Sequence, residues 1–507
     1  MYIEKSRYRT STRIRIVQKV LVAGTWKKQI VVHIGSAQHE LDIGILMSQA
    51  EQALAELHKG KQESLKLYTE PPISRLQRIG DHWQLAEDSL GSLYDRLGIN
   101  TTIPFLRLMV IARIVFPKSK RQTANFLSTA FSTPCHENQL YRSMDTLATQ
   151  QDVVLKQVRS YITTTYPAAL GYVLYDVTTL YFETEQDDED QLMLDGSLNP
   201  GLRKKGYSKD HRGDLPQVVL GLAVNELGMP LSYQLHSGDT YEGHTLLGGI
   251  TATLDVLKET DLTVVADAGM LSNKNLSSLE EQGLHYVVGA RLKSLSSTNR
   301  TKILALDFKT KKIHELTIDK RRVIVSYSAT RAARAKCLRE KSIERLKRLI
   351  AKGTAVRKHI YLDFSIKEEP RLKQAAIDAA AQWDGIKGYV TNRAKSEMKA
   401  SEVIEHYTSL FKVEQSFRLF KSDIRVRPAF HYKTERIQAH VVICMLALCI
   451  IRILEQEVKP LNLSTDQAIQ EITSAKAAIV LMDNREYVVP PAYTPIQTKI
   501  LSTIKLT

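Results

Sequence analysis

The chain has 507 residues, which excludes a single compact core and predicts two to four domains. Its composition, 43% hydrophobic and 25% charged, is that of a soluble globular protein. Seventy Lys and Arg against 55 Asp and Glu leave a formal net charge of +15 and a pI near 9.4, which predicts a polyanionic partner, nucleic acid before anionic membrane.

In chain order, residues 14–22 and 29–34 are β-branched stretches around a turn at Ala23-Gly24-Thr25, a small β-hairpin. Residues 40–165 are mainly helical in pattern. Within them 41–57 and 102–116 are helices, the second ended by Pro117, and Ser119 is placed to cap the next. Lys118, Lys120 and Arg121 there are either DNA contacts or a solvated basic helix start. The texture changes at Leu170. Residues 171–182 form a long β-branched and aromatic strand with one acid, Asp176, in its middle. An Asp there is unfavourable; a metal site explains it, and so does a buried, hydrogen-bonded carboxylate. The acidic run from Glu183 to Asp190 is a solvated part of the polar loop 183–214. Residues 217–225 and 230–236 make an antiparallel hairpin, and 242–259 a helix. Residues 262–266 are a short buried strand ending at Asp267; Ser272 then caps a helix, and 286–290 is the next strand. A carboxylate at the carboxyl end of a buried strand stands where α/β sheets place their ligands.

Between Arg291 and Lys358, 21 Lys and Arg oppose 5 Asp and Glu, a net of +16. Residues 291–382 are therefore expected as a basic insertion with strands at 312–318 and 321–327 and a basic helix at 331–351. So much charge of one sign marks a polyanion-binding face. Strand character returns at 383–392. Residues 401–421 form one amphipathic helix without Gly or Pro. Tyr407, Glu414 and Lys421 stand seven apart, nearly two turns each, so they share a face, with Arg418 one turn beyond Glu414. That edge is either a salt-bridged surface or a group that holds a metal beside a phosphate backbone. Residues 434–455 are an apolar helix in which His440 is a packing residue. Its longest apolar run, 441–454, is too short to span a membrane and contains Arg452, and the N-terminus lacks a secretion signal. Cys135, Cys337, Cys444 and Cys449 have no metal-ligand spacing and fit a reducing, cytoplasmic setting.

The order is strand with Asp176, hairpin, helix, strand ending at Asp267, helix, strand, insertion, then helix with Glu414. It fits an α/β fold with a ribonuclease H-like core. Three carboxylates converging from such distant segments can hold two divalent ions, magnesium or manganese by their preference for hard oxygen ligands.

At these residues the chain resembles the DDE insertion-sequence transposases, most of all the subgroup with a Tyr-x2-Arg-x3-Glu-x6-Lys signature. The matching pieces are Tyr175-Asp-Val-Thr-Thr-Leu-Tyr-Phe-Glu, the stretch Gly206 through Val219, Val265-Ala-Asp-Ala-Gly-Met, Asp384-Gly, and Tyr407 through Lys421; together they cover about residues 100–455. Leu410 stands where the signature has Arg, and Arg418, on the same helix face and next to Phe417, is the residue expected to supply that charge. The resemblance implies metal-dependent hydrolysis of a phosphodiester at a transposon end and attack of the freed 3′-hydroxyl on another strand. It implies Asp176, Asp267 and Glu414 as catalytic metal ligands, and Tyr407, Arg418 and Lys421 as phosphate contacts. Lys209 and Arg212, with Arg321 and Arg322 in the insertion, are further DNA contacts. The implied division is a hairpin and helical DNA-binding region (1–165), a core (166–290 and 383–460) interrupted by the insertion (291–382), and a tail (461–507). The implied partners are double-stranded DNA with terminal inverted repeats, target DNA and a second copy in a homodimer, at the bacterial nucleoid. Two other readings remain: a non-catalytic or domesticated DNA-binding protein on the same core, and a nuclease that cuts without joining.

Overall fold

The structure is a computed structural model that describes the chain apart from residues 9, 23–24, 59–76, 193–197, 200, 210–211, 242, 244, 246, 251–261, 271, 353–358, 364–370, 428–430, 483–484 and 505–507. It divides into two compact units, one of residues 1–92, 120–139 and 455–507, the other of residues 93–119 and 140–454.

The first unit opens with three antiparallel strands, β1 (Tyr2–Tyr8), β2 (Ser11–Val22) and β3 (Thr25–Ala37), covered by helix α1 (Glu40–His58). The expected hairpin is β2 with β3; β1 adds a third strand. Alternation on β2 sends Ile14 and Ile16 into the core beneath α1, and Arg13 and Arg15 to the other face. A second antiparallel sheet joins β4 (Gln77–His82) to two strands near the chain's end, β13 (Ala477–Met482) and β14 (Arg485–Val489). The C-terminal segment, uninformative as sequence, is thus partly strand, because its apolar side chains find a partner some 400 residues away.

Helices follow in the chain: α2 (Gln84–Asp95), in the first unit up to residue 92; α3 (Leu106–Val115), in the second; α4 (Lys120–Ala130), in the first; and α5 (Glu137–Thr165), in the second from residue 140. The main body of the second unit is mixed α/β. Its strands are β5 (Tyr172–Tyr181), β6 (Gln217–Val224), β7 (Pro230–Ser237), β8 (Thr263–Ala266), β9 (His285–Ala290), β10 (Ile313–Ile318), β11 (Arg321–Tyr327) and β12 (Ile386–Thr391). They form one sheet in the order β10-β11-β12-β9-β8-β5-β6-β7. β5, β6 and β7 are an antiparallel meander; β8 and β9 run parallel to β5; β12, β11 and β10 alternate antiparallel beyond them. β6 and β8 are buried throughout, as continuous apolar runs at the centre of a covered sheet must be. Helix α6 (Asn273–Glu281) starts at Ser272, whose hydroxyl accepts from Asn275 N as its sequence predicts. The expected helix 242–259 lies for the most part outside the described residues.

Three sequence expectations change in the structure. The strands of the basic stretch do not stand apart: β11 pairs with β12 and so continues the main sheet, which covers an edge that would otherwise be open. The long basic helix α7 (Ala329–Ala351) follows them. Residues 401–421 are two helices, α8 (Ala400–Thr408) and α9 (Phe411–Arg418), with a π-turn at Leu419–Asp423. Between the two, Leu410 N bonds Tyr407 O and Lys412 N bonds Ser409 O, three residues back and not four, while the Ser409 hydroxyl donates to His406 O. These local bonds tighten the turn. Finally, helix α10 (Thr434–Val458) with its extension to Leu461 is long and apolar enough to cross a membrane, contrary to the count of its uninterrupted run; 94% of the apolar window is buried within the protein itself.

Candidate active site

Asp176 is the one residue between Tyr172 and Leu180 of β5 that is not fully buried. Its Oδ1 accepts the backbone N–H of Val177 at 2.8 Å. The parallel register sets Ala266 of β8 opposite Tyr175, so Asp267, the next residue, follows opposite Asp176. Adjacent strands are about 4.8 Å apart. Two carboxylates far apart in sequence therefore leave neighbouring strands side by side. Asp267 is exposed, and the Tyr407 hydroxyl donates to its Oδ1 at 2.6 Å.

Tyr407 is placed by small residues beneath it. A Cβ on Gly289 of β9 would lie 2.6 Å from the Tyr407 hydroxyl oxygen, so only glycine leaves room for the ring. The ring also meets Tyr389 of β12 edge-on, with centroids 5.1 Å apart. Burial, then the bond to Asp267, raise the phenol's pKa well above its ordinary value.

α9 packs against β5 and β6, burying Val413, Ser416 and Phe417 and leaving Glu414 exposed. Its position is held by Arg452 of α10, a buried guanidinium. Arg452 donates to Ser416 Oγ at 2.9 Å, to Lys412 O at 3.3 Å and to Gln415 Oε1 at 3.3 Å. Ser416 in turn donates to Gly228 O at 3.2 Å. Leu410, at the signature's Arg position, is buried.

Lysines approach the acids from two sides. Lys209 Nζ stands 4.0 Å from Asp176 Oδ1 and donates to Val177 O at 2.7 Å. Lys387, on β12, lies with its ammonium 4.4 Å from the centre of the Tyr407 ring and 5.8 Å from that of Tyr389. Burial lowers its pKa, Arg331 adds to that, and Asp267 and Glu414 oppose it. Asp267 and Glu414 thus both act on the Lys387 ammonium.

Residues 173–450, more than half of the chain, match the family model described as Transposase DDE domain. The chain belongs to the DDE transposases. It is a DNA transposase, an enzyme that cleaves DNA and transfers strands. No curated protein matches it. Among solved structures, a piggyBac transposase synaptic complex with hairpin DNA is 7% identical, with a TM-score of 0.38, over 80% of this chain and 81% of that one. A Mos1 transposase paired-end complex with the left transposon end is 13% identical, with a TM-score of 0.16, over 47% and 66%.

The other expected residues of the transposase have surroundings of their own. Arg418 is exposed at the end of α9 and Lys421 is half-buried in the π-turn. Arg212 pairs with Asp214 at 3.1 Å and lies 5.3 Å from the Tyr181 ring centre. Arg321 and Arg322 have partners within the protein. Arg321 donates to Glu280, Asn273 and Ser277 on α6; Arg322 pairs with Glu315 and donates to Met398 O at 2.8 Å. Asp384 of the matching Asp384-Gly385 is bound by Arg339 at 2.6 Å, and Gly385 takes φ +79°, so this pair closes a turn. His440, Cys444 and Cys449 are buried, as packing residues are. Two residues of the site were not foreseen, Lys387 and the clamp Arg452; Lys387 is the one cation of its strand and Arg452 the one cation of the apolar run 441–454, the same signal that singled out Asp176.

The family uses divalent metal ions. The donor set fits them: the three acids offer only hard oxygen ligands, and two of them adjoin. Among the described residues no three His, Cys, Asp or Glu side chains stand close enough to share one ion.

Proposed function

We propose that Asp176, Asp267 and Glu414 are the catalytic carboxylates of a ribonuclease H-like core. The observation that carries this reading is the register placing Asp267 beside Asp176 on parallel strands, with the Glu414 helix packed on the same strand. The strand order supports it too: an antiparallel meander followed by two strands parallel to its first. The three acids would hold two magnesium or manganese ions. When bound, such ions supply an activated water and offset charge on the reacting phosphate.

The chain's own residues prepare that site. Tyr407 orients Asp267 through a bond that keeps the phenol protonated. Arg452 fixes the turn of α9 that bears Glu414. Lys209 crosses from its loop to Asp176, where it reduces repulsion among the acids and offers an ammonium to a phosphate. Arg418 and Lys421 continue along the strand path as backbone contacts, and Arg212 contacts the flank.

Larger faces hold the DNA. In the basic stretch 291–382 this is α7, whose exposed Arg334, Lys341, Arg345 and Lys347 face solvent. In the N-terminal region 1–165 it includes the three-stranded sheet, since residues 1–39 contain eight Lys and Arg against Glu4 alone. The substrates are the inverted repeats at the element's ends and a target duplex. Pairing two ends calls for a homodimer, acting at the nucleoid in the cytoplasm.

The test is strand mapping on the DNA flanking the gene, with magnesium or manganese, beside an Asp267→Asn control. Cuts at the element boundary that vanish in the control support the assignment. Tight, salt-sensitive binding without cutting by the wild type would sink it in favour of a DNA-binding protein.

A further inference from the structure

We propose that Lys387 holds the reacting phosphate on the Asp267–Glu414 side of the site. This rests on the active-site reading above. The ammonium lies 4.4 Å from the Tyr407 ring centre, and the Tyr407 hydroxyl is 2.6 Å from Asp267. Lysine, aromatic ring and carboxylate therefore form one contiguous chain of contacts. Glu414 acts on the same ammonium from the neighbouring helix.

The position has two features that packing alone does not ask for. Lys387 stands in a strand otherwise made of Ile, Gly, Tyr, Val and Thr, where an apolar residue would serve the core better. Its cation is also half withdrawn from water, at the cost reflected in its lowered pKa. Against this, the aromatic faces of Tyr407 and Tyr389 and the two acids hold it in place. An ammonium fixed this way needs no reorganisation when negative charge builds on a phosphate oxygen. The signature's own cation position offers none here, because residue 410 is an uncharged leucine. The compact point charge of Lys387, beside Tyr407, suits a phosphate oxygen.

The experiment uses two duplexes of the element's end, one with the natural phosphate at the cleavage position and one with a neutral methylphosphonate there. Binding is read by fluorescence anisotropy in calcium, and cleavage of the natural duplex in magnesium. Wild type should prefer the charged duplex by about tenfold. Lys387→Met should lose most of that preference, Lys387→Arg should keep part of it, and cleavage by Lys387→Met should fall about a hundredfold. Thermal melting checks that each variant is folded, and Lys387→Gln takes the place of the Met variant if that one is not. Lys387→Met with the wild-type preference overturns the proposal while leaving the site intact, provided wild type cuts and Asp267→Asn does not. If wild type neither cuts nor distinguishes the duplexes, the active-site reading fails and takes this one with it.

Discussion

Asp176 interrupts β5 with a charge that the strand does not favour, and β8 ends on Asp267 at the adjoining register position. Both are exchangeable for their amides with little change of shape. Asp176→Asn, Asp267→Asn and Glu414→Gln should each leave DNA affinity near wild type and remove the ions' contribution to the reaction. That contribution is several kcal/mol. At 1.36 kcal/mol per tenfold, cleavage should drop by about a thousandfold or more in a single-turnover assay. Tyr407 allows a sharper test. Its pKa is raised above the ordinary 10.0, so the protonated phenol is the form that folding favours. That stabilisation is complete below pH 10 and is lost as pH rises towards the raised value. Tyr407→Phe should thus be less stable by about 1 kcal/mol in urea unfolding at pH 8, and the gap should narrow above pH 10. An unchanged gap at pH 10.5 would mean that the bond to Asp267 does not decide the phenol's protonation.

At the scale of elements, the site depends on how closely α8 lies on β9. Gly289→Ala would put a methyl 2.6 Å from the Tyr407 hydroxyl oxygen and 3.0 Å from its Cζ, against a ring that is itself packed on Tyr389. The ring must then move away from Asp267. The expected loss is about 1–3 kcal/mol of stability, together with reduced cleavage. The basic helix α7 has a different role, and its test is ionic strength. Replacing Arg334, Lys341, Arg345 and Lys347 by Gln should leave folding intact. It should reduce the slope of log affinity against log salt by about 0.9 for each DNA phosphate that is no longer neutralised. A slope equal to wild type would place the DNA elsewhere.

For the whole molecule, three acids that close on one site would repel one another, and bound cations would relieve that. Magnesium or manganese should raise the melting temperature. An excess of 100-fold over the dissociation constant stabilises by about 2.7 kcal/mol, which corresponds to a shift of several degrees. Asp267→Asn should show little of this shift. A melting temperature insensitive to either ion in wild type would count against a preformed carboxylate site.

Most elements of the catalytic region were legible in the sequence because their signals are local. Short apolar, β-branched runs mark β5, β6, β8 and β9, Ser272 caps α6, and Asp176 and Asp267 stand out from their apolar surroundings. The motifs around Asp176, Asp267 and Glu414 were likewise visible, since they depend on residue type and spacing. Tertiary structure decided the rest. Strand pairing joined β11 to β12 and β4 to β13, contacts between segments far apart in the chain that no short window contains. Serine hydroxyls and three-residue backbone bonds broke the 401–421 helix in two, and a turn of that kind competes with helix by less energy than periodicity can reveal. Lys387 and Arg452 gained their roles only through what folding set against them, an aromatic ring with two acids for one and the Glu414 helix for the other. Sequence alone marked the family's motifs and the candidate acids, because residue type and spacing are local; which candidates meet was decided by the register of parallel strands and the packing of helices upon them.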